Sequence, residues 1–336
     1  MLSVLRFNFA VPGLDRGALA AAYQAGIEMA SYADEAGIPM VSLEEHHGAD
    51  NGWSPAPLVN AGLILGATKR VHVIVQALLV PLSDPLRLAE QLAVLDLAGR
   101  GRITAVAGLG YRPVEYADAG LDWSRRGALM DESLTAMLAA WTGEPFEYRG
   151  RTVRVTPPPA SPPAQLLWVG GSAKVSARRA ARLGLPLCPA NNLPELEAYY
   201  YEQCTQQGTS GFVVMPPAET AFVHVAEDPD KAWAELGEHF LAEATLYSSW
   251  QPEGQTSAAH SHATTVDELR AEGRYRILTP DECVRRGLSA GPGELGPVTV
   301  LHPLCGGMPP ERGWESLRLF VEKVLPRVAA EAAPTG

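Results

Sequence analysis

The sequence predicts an α/β fold, a (β/α)8 TIM barrel with an insertion between the seventh helix and the eighth strand. Three observations carry this expectation. Eight short apolar runs alternate with stretches of helical period, the pattern that builds a parallel sheet wrapped in helices. Most of these runs lack a polar alternate, as strands buried on both faces do. The polar segment Glu44-Glu45-His46-His47-Gly48 ends the second run, where the strand ends of a barrel face a common mouth. A doubly wound open sheet would instead carry a glycine fingerprint after the first strand, and Val11-Pro12-Gly13-Leu14 stands there.

In chain order, the expected strands are residues 2–9, 40–43, 71–77, 103–107, 166–169, 185–188, 220–225 and 298–304. Helical periodicity fills residues 19–36, 86–97, 128–141, 173–183, 194–206, 231–246 and 313–329. The proline-rich stretch Thr156-Pro157-Pro158-Pro159 through Pro163 reads as a stiff excursion into the fifth strand. Taken as a linker it would leave two half-barrels with unpaired edges, so one domain over 1–336 is expected. Residues 248–297, with His260 and His262, read as a long irregular connection of the kind that forms a lid or binding loop.

The 336 residues carry a formal charge of −11, which disfavours nucleic acid, since phosphate binding needs a basic surface. Cys188, Cys204, Cys283 and Cys305 form no C-x-x-C pair, so they are expected reduced and mostly buried. No apolar run approaches a membrane span and no signal-like start is visible, so the expected compartment is the cytoplasm.

Four mouth segments carry candidate chemistry. An imidazole at a strand end suits proton transfer near neutral pH, which nominates His46 as catalytic. Neighbouring residues on extended backbone face opposite ways, so His46 and His47 do not readily share a metal, and no metal site is expected. After the fifth strand, Gly170-Gly171-Ser172-Ala173-Lys174-Val175-Ser176 opens a helix. Its glycines let backbone approach a ligand and its free N–H groups attract an anion, while Ser172 is equally suited to be an ordinary helix N-cap. Gly108-Leu109-Gly110-Tyr111-Arg112 follows the fourth strand and places Tyr111, Arg112 and Glu115 around the mouth. Gln76 closes the third strand as a polar group in an apolar run; a buried amide there needs a ligand or backbone as partner.

These segments together resemble the bacterial luciferase-like monooxygenases, over nearly the whole length. Glu45-His46-His47 is similar to the family's EHH segment. Pro81 to Gln91, with Leu95-Asp96 and Gly101-Arg102, resembles its P-x-x-x-P-x-R-x-A-E signature and the L-D and G-R pairs that follow. Ala128-Leu129-Met130-Asp131 and Gly184-Leu185-Pro186 are further matches. The resemblance implies a flavin in the mouth with His46 beside its ring. Ser172, Ser176 and the Gly170–Gly171 backbone would hold its phosphate, a cis peptide at Gln76–Ala77 would back the ring, and Gly108 is also expected at the cofactor. Tyr111 and Arg112 are then expected on the substrate side. One position departs: luciferase has a phosphate-binding arginine where this chain has Leu109, with Arg112 three residues on.

The implied activity is that of a monooxygenase using reduced FMN and dioxygen on a small organic substrate, with reduced flavin supplied by a separate reductase. The alternatives are an oxidoreductase that transfers hydride with a deazaflavin, coenzyme F-420, and a non-catalytic flavin-binding partner subunit. The resemblance also implies a homodimer through helices two and three, residues 56–67 and 86–97, which carry more apolar positions than one inward face requires.

Overall fold

The computed structural model describes residues 2–217, 221–251, 260–289 and 297–332. In order, the elements are β1 (Leu2–Phe7), α1 (Arg16–Ala36), β2 (Met40–Leu43), α2 (Pro57–Ala67), β3 (His72–Leu78), α3 (Pro85–Gly99), β4 (Ile103–Ala107), α4 (Pro113–Asp118) and α5 (Arg126–Ala140). A hairpin of β5 (Phe146–Tyr148) and β6 (Arg151–Val153) precedes α6 (Pro163–Leu166), β7 (Leu167–Gly170), α7 (Lys174–Leu183), β8 (Leu187–Cys188) and α8 (Pro194–Gln207). There follow β9 (Ala221–Val225), α9 (Pro229–Trp250), α10 (Val266–Glu272), β10 (Tyr275–Leu278), α11 (Pro280–Gly287), β11 (Val298–Leu301), α12 (Pro310–Leu319) and α13 (Leu325–Ala332).

The eight expected strands are β1, β2, β3, β4, β7, β8, β9 and β11, and the fold is of the TIM-barrel α/β class. All lie in one parallel sheet of order β10-β9-β11-β1-β2-β3-β4-β7-β8, with Leu187 bridging to Val213 beyond β8. Because β4 pairs directly with β7, the sheet runs unbroken across the proline-rich excursion. That excursion ends in the single turn α6, and the β5–β6 hairpin before it was not anticipated. Its turn is Arg149-Gly150, both at positive φ, a conformation that suits glycine and marks tight hairpins.

The reading of residues 248–297 as irregular needs correction. The described part contains α10, β10 and α11, a further strand–helix unit whose strand pairs with β9. Thr279 and Glu282 form a reciprocal capping box at the start of α11, a signal visible in the sequence. Residues 252–259 and 290–296 of that stretch, and Thr220 at the expected start of the seventh strand, lie outside the described residues.

Strand alternation sorts the side chains into two layers. Leu5, Phe7, Val41, Leu43, Val73, Val75, Val223 and Leu301 join α1, α2 and α3 in the main core. The alternate residues Phe222 and Val300 instead pack with Trp233, Leu236 and Phe240 of α9. Helix α9 therefore lies on the inner face of the sheet, opposite the outer helices. It starts at Asp228, whose side chain caps Lys231 N. All four cysteines are free and buried, and among the described residues no helix is long and apolar enough to cross a membrane.

Candidate active site

The sheet order sets β2, β3, β4 and β7 side by side. Their C-terminal ends carry Glu44–His47, Gln76–Ala77, Gly108–Arg112 and Gly170–Ser176, so all the expected site residues stand on four neighbouring strand ends.

His46 is buried, and both ring nitrogens are engaged. Nδ1 lies 3.0 Å from Glu115 Oε1 and Nε2 lies 2.9 Å from the Tyr111 hydroxyl. Glu115 also accepts from His47 N at 2.9 Å and from Arg112 at 3.1 Å. Burial alone would raise the Glu115 carboxyl, but the His46 hydrogen bond and the nearby positive groups hold it below its usual value. Its Oε2 is buried without a partner among the described residues. An ionised carboxylate fixing one nitrogen of a buried imidazole leaves the other nitrogen as the site of proton exchange. The Tyr111 hydroxyl occupies that place, and burial pushes its pKa far up, so it stays protonated and hydrogen-bonding.

Arg112 donates to His47 O at 2.8 Å as well as to Glu115, and its guanidinium lies 4.3 Å above the Trp250 ring. The structure places this arginine within the His46 support rather than in an open mouth.

Segment 44–47 lies past the end of β2, so its histidines diverge through their partners and not through strand alternation. His47 Nε2 pairs with Glu45 Oε1 at 2.8 Å, and Glu45 Oε2 accepts from Leu79 N at 2.6 Å, tying the β2 and β3 ends together. The Glu45 hydrogen bond raises the His47 pKa. A raised value adds stability that is fully present below the unfolded value of 6.5 and is lost as pH rises through the folded one. His47→Ala is thus expected to lose at most about 1 kcal/mol, its side chain being 35% exposed. The loss should be larger at pH 6 than at pH 9 in urea unfolding, and turnover should be little changed.

On the next strands, the Gln76–Ala77 peptide is cis. Gln76 itself is exposed, which corrects the expectation of a buried amide: its side chain faces the open mouth. Gly108 packs on this peptide so closely that a Cβ there would stand 2.6 Å from the Ala77 Cβ. At β7, a Cβ on Gly170 would meet Ala107 O at 3.0 Å, and Gly171 takes φ +124, open only to glycine.

The N-cap of α7 is Ala173, not Ser172, and no side chain caps the helix. Ser172 Oγ instead accepts from Ala190 N at 3.1 Å. Ser176 is only 4% exposed, and no hydrogen bond from its hydroxyl is found among the described residues. An uncapped helix start with a serine hydroxyl directly behind a glycine turn fits an anionic oxygen. A cavity of about 370 Å³ adjoins it, lined by Ser172, Lys174 and Asn192 to Leu196.

Behind His46 lies a group the sequence reading missed. Arg6 pairs with Glu44 at 2.5 and 2.9 Å and with Glu243 of α9 at 2.6 Å. Glu243 also accepts from Asn8, from Gly306 N and from His302. Glu243, His302 and Cys305 hold ligand-type atoms within 4.8 Å of one another, but the Glu243 oxygens are already filled by these donors. The available signal was Arg6 and Asn8 at alternate positions of an otherwise apolar first strand.

The family model described as luciferase-like monooxygenase matches residues 4–294. The chain spans about half the length of the curated relatives it matches. One such relative is the oxygenase component of the flavin-dependent trigonelline monooxygenase of Acinetobacter baylyi. It is 26% identical over 154 residues, 44% of this chain and 42% of the relative.

Solved structures align over nearly the full chain. Monooxygenase RslO1 from Streptomyces bottropensis gives a TM-score of 0.70 at 24% identity, covering 97% and 99% of the two chains. The oxygenating constituent of 3,6-diketocamphane monooxygenase from Pseudomonas putida, in complex with FMN, gives 0.68 at 19%, covering 98% of each. An F420-dependent secondary alcohol dehydrogenase gives 0.65 at 18%, covering 97% and 98%.

Proposed function

Because this chain belongs to the luciferase-like monooxygenase family, we propose that it is the oxygenase of a flavin-dependent pair, using reduced FMN and dioxygen on a small organic substrate. The observation that carries this is the anion cradle at α7: uncapped N–H groups, the glycine turn and the Ser176 hydroxyl behind it, two strands along from the cis Gln76–Ala77 peptide. When bound, reduced flavin supplies the two electrons that let dioxygen deliver one oxygen atom to the substrate.

The protein's own residues do the rest. Ser176, Ser172 and the α7 start bind the phosphate. Gly108 and Gly170 leave room for a ring against Gln76–Ala77. His46, oriented by ionised Glu115, moves a proton at Nε2, and the apolar walls around it exclude water. Reduced flavin would come from a separate reductase, as the component naming of the Acinetobacter relative suggests for that system.

A deazaflavin-dependent hydride transferase is the second reading. It is favoured by Leu109 in place of the phosphate-binding arginine and by the likeness to the F420-dependent dehydrogenase. Titrating the purified protein with FMN, reduced FMN and the deazaflavin decides between them: submicromolar binding of the deazaflavin alone would discard the FMN reading.

Ser176→Ala is expected to weaken FMN binding by about 0.5–1.5 kcal/mol, and more if the accepted oxygen is charged. Fluorescence titration measures it; unchanged affinity in both Ser172→Ala and Ser176→Ala would remove the phosphate from this place. We also propose a homodimer through α2 and α3, where Val59, Leu63, Val94 and Leu97 are exposed on two packed helices. Sedimentation at micromolar concentration should give twice the 35.9 kDa chain mass, and Leu63→Glu with Val94→Glu should halve it.

A further inference from the structure

Tyr247 and Trp250 of α9 meet Trp53 and Tyr111 around His46. The His46 ring lies 5.4 Å from Trp53, 5.3 Å from Tyr111 and 4.9 Å from Trp250, all edge to face. Trp53 is 5.4 Å from Trp250 and stacks on Tyr247 at 5.9 Å. Trp53 is 1% exposed, and its Nε1 has no hydrogen-bond partner among the described residues. A buried indole N–H without an acceptor is costly, and an acceptor on a bound molecule relieves that cost.

Resting on the flavin reading above, we propose that the substrate is a planar aromatic compound bearing an acceptor oxygen, enclosed by Trp53, Tyr111, Tyr247 and Trp250 beside His46. A flat guest exchanges the existing edge-to-face contacts for equivalent ones with its own ring, while an aliphatic chain regains only buried area. Trp53 Nε1 donates to the guest oxygen. The guest is not a cation: Arg112 already covers the Trp250 ring, and Arg6 and Arg112 stand beside the rings on Glu44 and Glu115, so a second positive charge would meet two guanidinium groups. Trp250 is the last residue of α9 and half-buried, so it is the ring that turns to admit the guest.

The aromatic wall is set by the same face of one helix. Glu243, Tyr247 and Trp250 are spaced i, i+4, i+7. The ion pairs of Glu243 with Arg6 and His302 hold the face of α9 that sets Trp250 against His46 and Tyr247 against Trp53 and Tyr111. Glu243 is thus a positioning residue for the substrate wall.

Isothermal titration calorimetry of the full chain, with and without FMN, tests this with 2-naphthol and decanal as probes. The expected result is saturable 2-naphthol binding at least tenfold tighter than decanal. Trp250→Ala should weaken 2-naphthol about fivefold to tenfold and Trp53→Phe by a similar factor, each changing FMN affinity less than twofold, while Trp250→Phe restores most of the loss. Equal affinity for decanal, or 2-naphthol binding indifferent to Trp250→Ala and Trp53→Phe, overturns the proposal. If Trp250→Ala does not fold, Trp250→Phe against Trp250→Leu gives the same reading. Failure of the wild-type chain to bind FMN counts against the flavin reading, and the dependence of 2-naphthol on the two indoles still decides the substrate class.

Discussion

Replacing His46 by alanine is expected to reduce turnover by about 10²–10⁴ while leaving flavin binding within a fewfold of the wild type. The imidazole is buried and held at both nitrogens, while the neighbouring His47 is engaged with Glu45 instead. Glu115→Gln should give a smaller loss, because the amide keeps a hydrogen bond to the ring but removes the carboxylate charge beside it. Its signature is a change in the pH profile of kcat, which a purely structural role would not produce. Single-turnover oxidation of reduced FMN, with product and hydrogen peroxide both measured, makes the comparison. If His46→Ala turns over at the wild-type rate with unchanged coupling, the histidine has no catalytic role.

Glu243→Leu is expected to be the most destabilising single change in the mouth, at about 3–5 kcal/mol in urea unfolding. Removing this carboxylate leaves Arg6 with one partner and strips the donors of Asn8, His302 and Gly306 N of their acceptor. Adding Arg6→Met should recover part of the loss, since an unpaired buried charge costs more than a missing pair. Burial by itself would raise the Glu243 carboxyl, but His302 and Arg6 hold it well below the usual 4.5. A depressed value gives stability that is complete above pH 4.5 and lost as pH falls through the folded value. The wild type should therefore lose stability in acid more steeply than the Arg6→Met/Glu243→Leu double variant.

The barrel strands were legible because burial on both faces writes itself as an apolar run, and all eight appear in the sheet. Strand ends were less so. Phe9 takes a positive φ and stops β1 two residues before the apolar pattern does. The short strand Tyr275–Leu278 went unseen because it has Arg276 in it and sits among polar residues. In the candidate site, His46, Gln76–Ala77, Gly108 and the β7 turn could be placed because each lies at or just past the C-terminal end of its own strand. Tyr247, Trp250 and Glu243 could not, since the helical period says which residues share a face of α9 but not that this face turns inward. Glu115 was placed at the mouth, yet its bond to His46 spans 69 residues and is a product of folding.

The inward placement of α9 divides the mouth between two sources of side chains. The anion cradle and the Gln76–Ala77 peptide come from β3, β4 and β7, while two of the four rings around His46 come from a helix with its own small core of Phe222, Trp233, Phe240 and Tyr275. A change of substrate range can then be made by exchanging α9 as a cassette, with Glu243 retained as its docking pin. In the proposed reaction the cofactor seat and the substrate wall would then lie on separate pieces of chain that meet at one histidine.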